Sequence, residues 1–156
     1  MKQVVTLALA ILAWGVQPAW SEEGVPMAQD LTRDAVLARE KRGVVLVMFS
    51  GERCAYCLKV LDEFLIPMSR NADYQAKMVT RKVILSNAYS MKDFQGRAVT
   101  QKQFAKTYGV NFVPTIMAFD ADGAPLGKPL VGLTTVDYYG AYLDELIDAG
   151  LAVVRK

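Results

Sequence analysis

The sequence predicts an α/β domain with a mixed four-stranded sheet and helices on both faces, preceded by one N-terminal helix. Three observations predict it. The continuous apolar run Val44-Val45-Leu46-Val47-Met48-Phe49 suits a central strand covered on both sides. Helical and strand-like stretches alternate after it, which asks for a parallel strand pair joined by a crossover helix. Near the end of the chain, Asp122-Gly123 marks a tight turn between two strand-like stretches, which asks for an antiparallel pair.

The elements follow in order. Asp30 to Arg42 carries Leu31, Ala35, Val36 and Ala38 at helical spacing, with Gly43 at its end. After the apolar strand, Ser50 to Arg53 is a polar turn. From Cys54 a helical stripe begins, made of Cys57, Leu61, Phe64, Leu65 and Met68. Pro67 is expected to end or kink that helix. Met78 to Leu85 reads as a second strand, and Ser86 to Val99, without a clear period, as a long loop. Thr100-Gln101-Lys102-Gln103 fits a capping box for a helix that runs to Tyr108, and Gly109 suits the position after it. Thr115 to Phe119 is a third strand and the surroundings of Leu130-Val131 a fourth. The final helix starts near Thr134 or Thr135, buries Val136, Tyr139, Leu143, Leu146 and Ile147, and closes at Gly150. Tyr138, Tyr139 and Tyr142 at helical spacing read as core and rim residues of this helix.

Length and charge narrow the function. A chain of 156 residues fits one domain. A net charge of +2 with no basic run makes nucleic acid a poor partner. No nucleotide motif such as GxGxxG is present, and no flavin site. Residues 1–21 differ from the rest: Lys2, an apolar stretch from Val4 to Val16, then small residues at Ala19 and Ser21. That is the pattern of a signal peptide cut after Ser21. The stretch is short of the ~20 residues that an uncleaved membrane anchor needs. The expected organisation is a signal peptide over 1–21, a leader and helix over 22–43, and the main domain over 44–156, exported to the periplasm.

Export changes the reading of the cysteines. The chain has two, Cys54 and Cys57, and no histidine. A disulfide across so small a loop constrains the unfolded chain little, so a staple explains the pair poorly. Zinc would need about four ligands. Covalent haem would need a histidine where Leu58 stands. A copper(I) carrier could use two thiolates alone, and stays open as an alternative. The methionines are scattered and suggest no metal site. Redox chemistry is favoured by placement, since Cys54-Ala55-Tyr56-Cys57 follows a buried strand and opens a helix. Free amides at a helix start stabilise a thiolate, the attacking species. Cys54 is the expected nucleophile, and Cys57, one turn inside, the thiol that resolves the mixed disulfide. Such a pair is its own redox group and needs no bound cofactor.

Pro114 heads an apolar strand in Phe112-Val113-Pro114-Thr115-Ile116. It reads either as a trans proline starting an edge strand or as a cis bond after Val113. Together these residues resemble the thioredoxin superfamily. The resemblance runs from about Val44 to Ala149. It takes in the dithiol, Lys106-Thr107-Tyr108-Gly109-Val110, the Val113-Pro114-Thr115 step, the Asp122-Gly123 turn and Gly132. It implies a thioredoxin fold with a cis Pro114 lying against the dithiol. The backbone of Val113 would pair with an extended substrate, Ala55 and Tyr56 would lie against it, and Gly132 would keep the groove open. Phe49-Ser50-Gly51, Tyr56 and the long insert before Thr100 are similar to periplasmic thioredoxin-like proteins of bacterial sulfur oxidation.

Three positions depart from ordinary thioredoxins: Arg53 stands for a tryptophan, Ala55-Tyr56 for Gly-Pro, and Met48 for a buried acid that serves the second thiol. Without a cation-capable residue between the cysteines, the pair is expected to be reducing. The expected activity is that of a monomeric thiol–disulfide oxidoreductase that reduces disulfides of exported proteins and is recharged by a membrane electron donor. Tyr56 also resembles the dipeptide of disulfide isomerases, which is the alternative within this chemistry.

Overall fold

The computed structural model describes residues 24–156. The signal peptide expected over residues 1–21 lies outside them. Four strands form the main sheet: β1 (Val44–Ser50), β2 (Met78–Ile84), β5 (Thr115–Phe119) and β6 (Pro125–Val131), in the order β2-β1-β5-β6. β1 and β2 are parallel, and β1–β5 and β5–β6 are antiparallel. Every residue of β1 is buried, which is why its sequence shows no polar alternation. The mixed sheet expected from the sequence is therefore present.

Two apolar layers cover the sheet. On one face, helix α1 (Leu31–Glu40) and helix α5 (Gln101–Thr107) pack on Val45, Val47 and Phe49. On the other, α2 (Ala55–Val60), a π-helical turn (Leu61–Leu65), α3 (Ile66–Arg70) and the long α6 (Val136–Val154) pack on Val44, Leu46 and Met48. A short helix, α4 (Ala72–Gln75), leads into β2. The capping box of α5 is complete: Thr100 Oγ1 accepts from Gln103 N at 3.1 Å, and Gln103 Oε1 accepts from Thr100 N at 2.9 Å.

Several expectations are corrected. Pro67 does not end its helix, which continues to Arg70. The turn before it is π-wound, with Ile66 N–H donating to Leu61 O, and this widening accommodates a residue that has no amide hydrogen. Val36 is exposed, leaving Leu31, Ala35 and Ala38 as the buried stripe of α1. The stretch 86–99 is not a bare loop but carries a hairpin, β3 (Ser90–Lys92) with β4 (Ala98–Thr100). Asp93 holds its turn by accepting from Gln95 N and Arg97 N, each at 2.9 Å. The fourth strand begins at Pro125, well before Leu130. Finally, α6 passes through Gly150 to Val154. Gly150 is there for space, since a Cβ would come within 2.9 Å of Val44 Cγ1.

The segment ahead of α1 covers the outer edge of β2 at Lys82. Lys82 N–H donates to Pro26 O and Ala28 N–H to Lys82 O, both at 2.8 Å. Gln101, only 1 % exposed, locks this arrangement: its Oε1 accepts from Ile84 N at 2.6 Å and its Nε2 donates to Ala28 O at 3.1 Å. On the opposite edge, Pro125 and Pro129 remove amides from β6, which discourages pairing with another chain.

Candidate active site

The dithiol sits where β1 hands over to α2. Cys54 is the N-cap of that helix, with extended backbone, and its Sγ accepts from Cys57 N at 3.1 Å. Its carbonyl takes the next amide, Leu58 N, at 3.1 Å. The two sulfurs are joined as a disulfide. Their environments differ. Cys54 is half-buried, whereas Cys57 is 1 % exposed and faces the apolar layer with Val60, Leu61 and Met48. The asymmetry follows from helical geometry: the cap residue lies at the rim, and three residues later the chain has turned towards the core.

The Val113–Pro114 peptide bond is cis. Thr115 Oγ1 donates to Phe112 O at 2.8 Å and fixes the turn ahead of β5. Gly132 N–H donates to Pro114 O at 2.7 Å, tying the end of β6 to the proline. Gly132 has a φ of +75°, a conformation that suits glycine. Gly51 lies between the two halves of the site. A Cβ there would lie 3.5 Å from Val113 Cγ2 and 3.6 Å from Cys54 Cβ. Cys54, Cys57 and Val113 are thus brought together, with Pro114 buried behind Val113. Ala55 and Tyr56 are both exposed on the first turn of α2.

Two residues that the sequence reading gave no role also stand at this rim. Leu58 is 60 % exposed and Phe112 61 % exposed, beside Tyr56 at 66 %. Their signal was available: large apolar side chains immediately after a dithiol and before a strand-heading proline, at positions that helix and strand patterning leave to solvent.

Met48 is fully buried in the layer that holds Cys57. The buried carboxylates among the described residues are Asp34 and Asp93, and both belong to the other face of the sheet. Asp34 binds Arg81 through two bonds of 2.6 and 3.0 Å, and Asp93 binds Arg97 at 2.7 Å. Burial raises the Asp34 carboxyl above its ordinary range, against the opposing pull of Arg81. Tyr74 packs at the margin of the Cys57 layer, and the fully buried ionisable side chain within it, among the described residues, is Tyr139. Its hydroxyl is buried with no hydrogen-bond partner, and desolvation pushes it up to about 12. No group of three or more His, Cys, Asp or Glu side chains suited to a metal ion occurs among the described residues.

No curated protein matches the sequence. Among solved structures, thioredoxin O2 from Arabidopsis thaliana in its oxidized state is similar, with a TM-score of 0.53 and 15% identity, over 81% of this chain and 97% of that one. A thioredoxin-fold protein from Helicobacter pylori is similar at a TM-score of 0.49 and 18% identity, over 71% of this chain and 73% of that one. The family model described as "Thioredoxin-like domain" matches residues 31–147. With that match covering most of the chain, and a strand–dithiol–helix unit inside it, the protein belongs to the thioredoxin-like domain family and is a thiol–disulfide oxidoreductase.

Proposed function

We propose that the protein is exported to the periplasm and reduces disulfides of other exported proteins, with Cys54 as nucleophile and Cys57 as resolving thiol. The observation that carries the assignment of roles is the contrast in exposure: a half-buried Cys54 whose sulfur accepts from the Cys57 amide, and a Cys57 that is 1 % exposed. In the reduced protein, that amide and the start of the helix favour the Cys54 thiolate. The thiolate attacks one sulfur of a substrate disulfide. The substrate S–S bond breaks, a Cys54–substrate bond forms, and the other substrate sulfur leaves as a thiolate. Cys57 then gives up its proton and attacks Cys54 Sγ, which releases the second substrate sulfur. Two electrons have passed to the substrate, and Cys54–Cys57 is again a disulfide. With Met48 in place of a buried acid, the Cys57 proton passes to the departing substrate thiolate or to water.

An extended substrate segment lies along Val113, with Pro114, Ala55 and Tyr56 lining its path. The dithiol is the redox group, so no separate cofactor takes part. A membrane reductant recharges it, and the protein works as a monomer. The resemblance to thioredoxin-like proteins of sulfur oxidation supports a place among such systems.

Two measurements test this reading. A Cys57→Ser variant is expected to retain substrate as a stable mixed disulfide on Cys54, and Cys54→Ser to retain none. The reverse pattern overturns the roles. Equilibration against a dithiol buffer is expected to give a potential below about −200 mV, and a value near −120 mV would make the protein an oxidant.

A further inference from the structure

A cleft of about 660 Å³ opens far from the dithiol, beside the first half of β2. Met78 pairs with Val44 at the start of β1, whereas Cys54 follows the other end of that strand. The residues Met78–Arg81 form the floor, with Leu37 and Lys41 on one side and Arg70 and Gln75 on the other. Among the described residues, no carboxylate lines it.

Two independent features of this cleft favour one kind of ligand. The first is an open strand edge. In a parallel pairing, alternate residues direct their backbone groups to opposite neighbours. Lys82 directs its N–H and C=O outward, to Pro26 and Ala28. Thr80 has the same parity and lies before the point where the leader joins the strand. Its carbonyl takes Arg81 Nη1 at 2.8 Å, and by the same parity its N–H points away from β1, on the side where Thr80 lines the cleft. The second feature is charge. Arg81 is already bound to Asp34. Lys41 and Arg70 are exposed; Lys41 Nζ donates to Gln75 O at 2.7 Å, which leaves two of its three donors, and neither residue has a carboxylate partner among the described residues.

We propose that this cleft docks an extended acidic segment of a partner protein, laid along the Thr80 edge with its carboxylates at Lys41 and Arg70. Main-chain bonding to a strand edge supplies the affinity in this mode, and side chains supply the selectivity. Leu37, 42 % exposed, offers an apolar contact for one side chain of the segment. The dithiol can then exchange with a partner that is held at the opposite end of the sheet.

The test uses the intact chain and a fluorescent Glu-Val-Glu-Val-Glu-Val-Glu peptide, followed by anisotropy, with its Lys-Val counterpart as control. Saturable binding of the acidic peptide is expected, at least about tenfold tighter than the basic one and weakened by added salt. Hydrogen exchange is expected to slow at the Thr80 amide. The variant K41E/R70E, which changes only exposed side chains, is expected to reverse the preference. Absence of saturable binding, equal binding by parent and variant, or protection at Val113 instead of Thr80 overturns the proposal. Full displacement by inorganic phosphate without Thr80 protection assigns the cations to a small anion. Binding seen only once residues 1–23 are removed makes the chain's own start the occupant. Either result also overturns it.

Discussion

Replacing Tyr139 with phenylalanine is expected to stabilise the protein. Tyr139 lies in the first turns of α6, 1 % exposed, with its ring packed on Phe64 at 5.1 Å between centroids. Its hydroxyl has lost water and gained no partner. An unsatisfied buried hydroxyl costs about 1–3 kcal/mol, and removing one oxygen leaves a void too small to cancel that. The Y139F protein is therefore expected to gain about 1–2 kcal/mol in urea unfolding at pH 7, or roughly 2–6 °C in Tm. A second arm uses pH. The folded state holds the phenol proton up to about 12, against 10.0 for an unperturbed phenol. The contribution is thus fully present below about pH 10 and is lost as pH rises towards 12, with roughly 2–3 kcal/mol at stake. Tyr74, pushed up to about 12 chiefly by its bond to Asp144, titrates in the same window in both proteins, so the difference between them isolates Tyr139. A Y139F protein that loses 1 kcal/mol or more, or that shares the parent's decline above pH 10, would refute the claim that this hydroxyl is unpartnered.

Other outcomes follow from the same packing. Gly150→Ala is expected to cost about 1–3 kcal/mol, because the new methyl meets Val44 Cγ1 at 2.9 Å, and adding Val44→Ala should recover part of the loss in chemical denaturation. Asp34→Ala leaves the guanidinium of Arg81 without its two bonds; with Arg81 22% exposed, a loss of about 2–4 kcal/mol is expected by thermal unfolding, largely recovered when Arg81→Met is added. Thr100→Ala opens the capping box and is expected to cost about 1 kcal/mol, with faster hydrogen exchange at the Gln103 amide.

The parts of the fold legible in the sequence are those whose cause is local or periodic. The apolar run of β1 had to be buried on both faces, and the capping box and the Asp122-Gly123 turn are short-range chemistry. The dithiol was legible for the same reason, since strand, cap and helix are consecutive. What escaped has tertiary causes. Gly150 looks like a helix terminator until Val44 is seen against it. The strands β3 and β4 are three residues each, too short for a period, and are held by the Asp93 turn and by pairing with each other. Gln101 looks like an ordinary helix-start polar residue, yet it is buried and bridges Ile84 and Ala28, partners distant in sequence. The place of Gly51 between Val113 and Cys54, where an added Cβ would meet both, depends on the same long-range folding, so it could not be read in advance.

The leader has a practical consequence for anyone wishing to borrow this domain. A fragment cut to the family-matching span, residues 31–147, would shed Pro26 and Ala28. Lys82 would then present a bare amide and carbonyl, and the Gln101 side chain would lose its acceptor at Ala28. At the far end the cut would also remove Leu151, which packs in the core. Such a module would tend to stick to its own copies through the uncovered strand. The portable unit therefore includes the seven residues 24–30 before α1 as well as the last turns of α6.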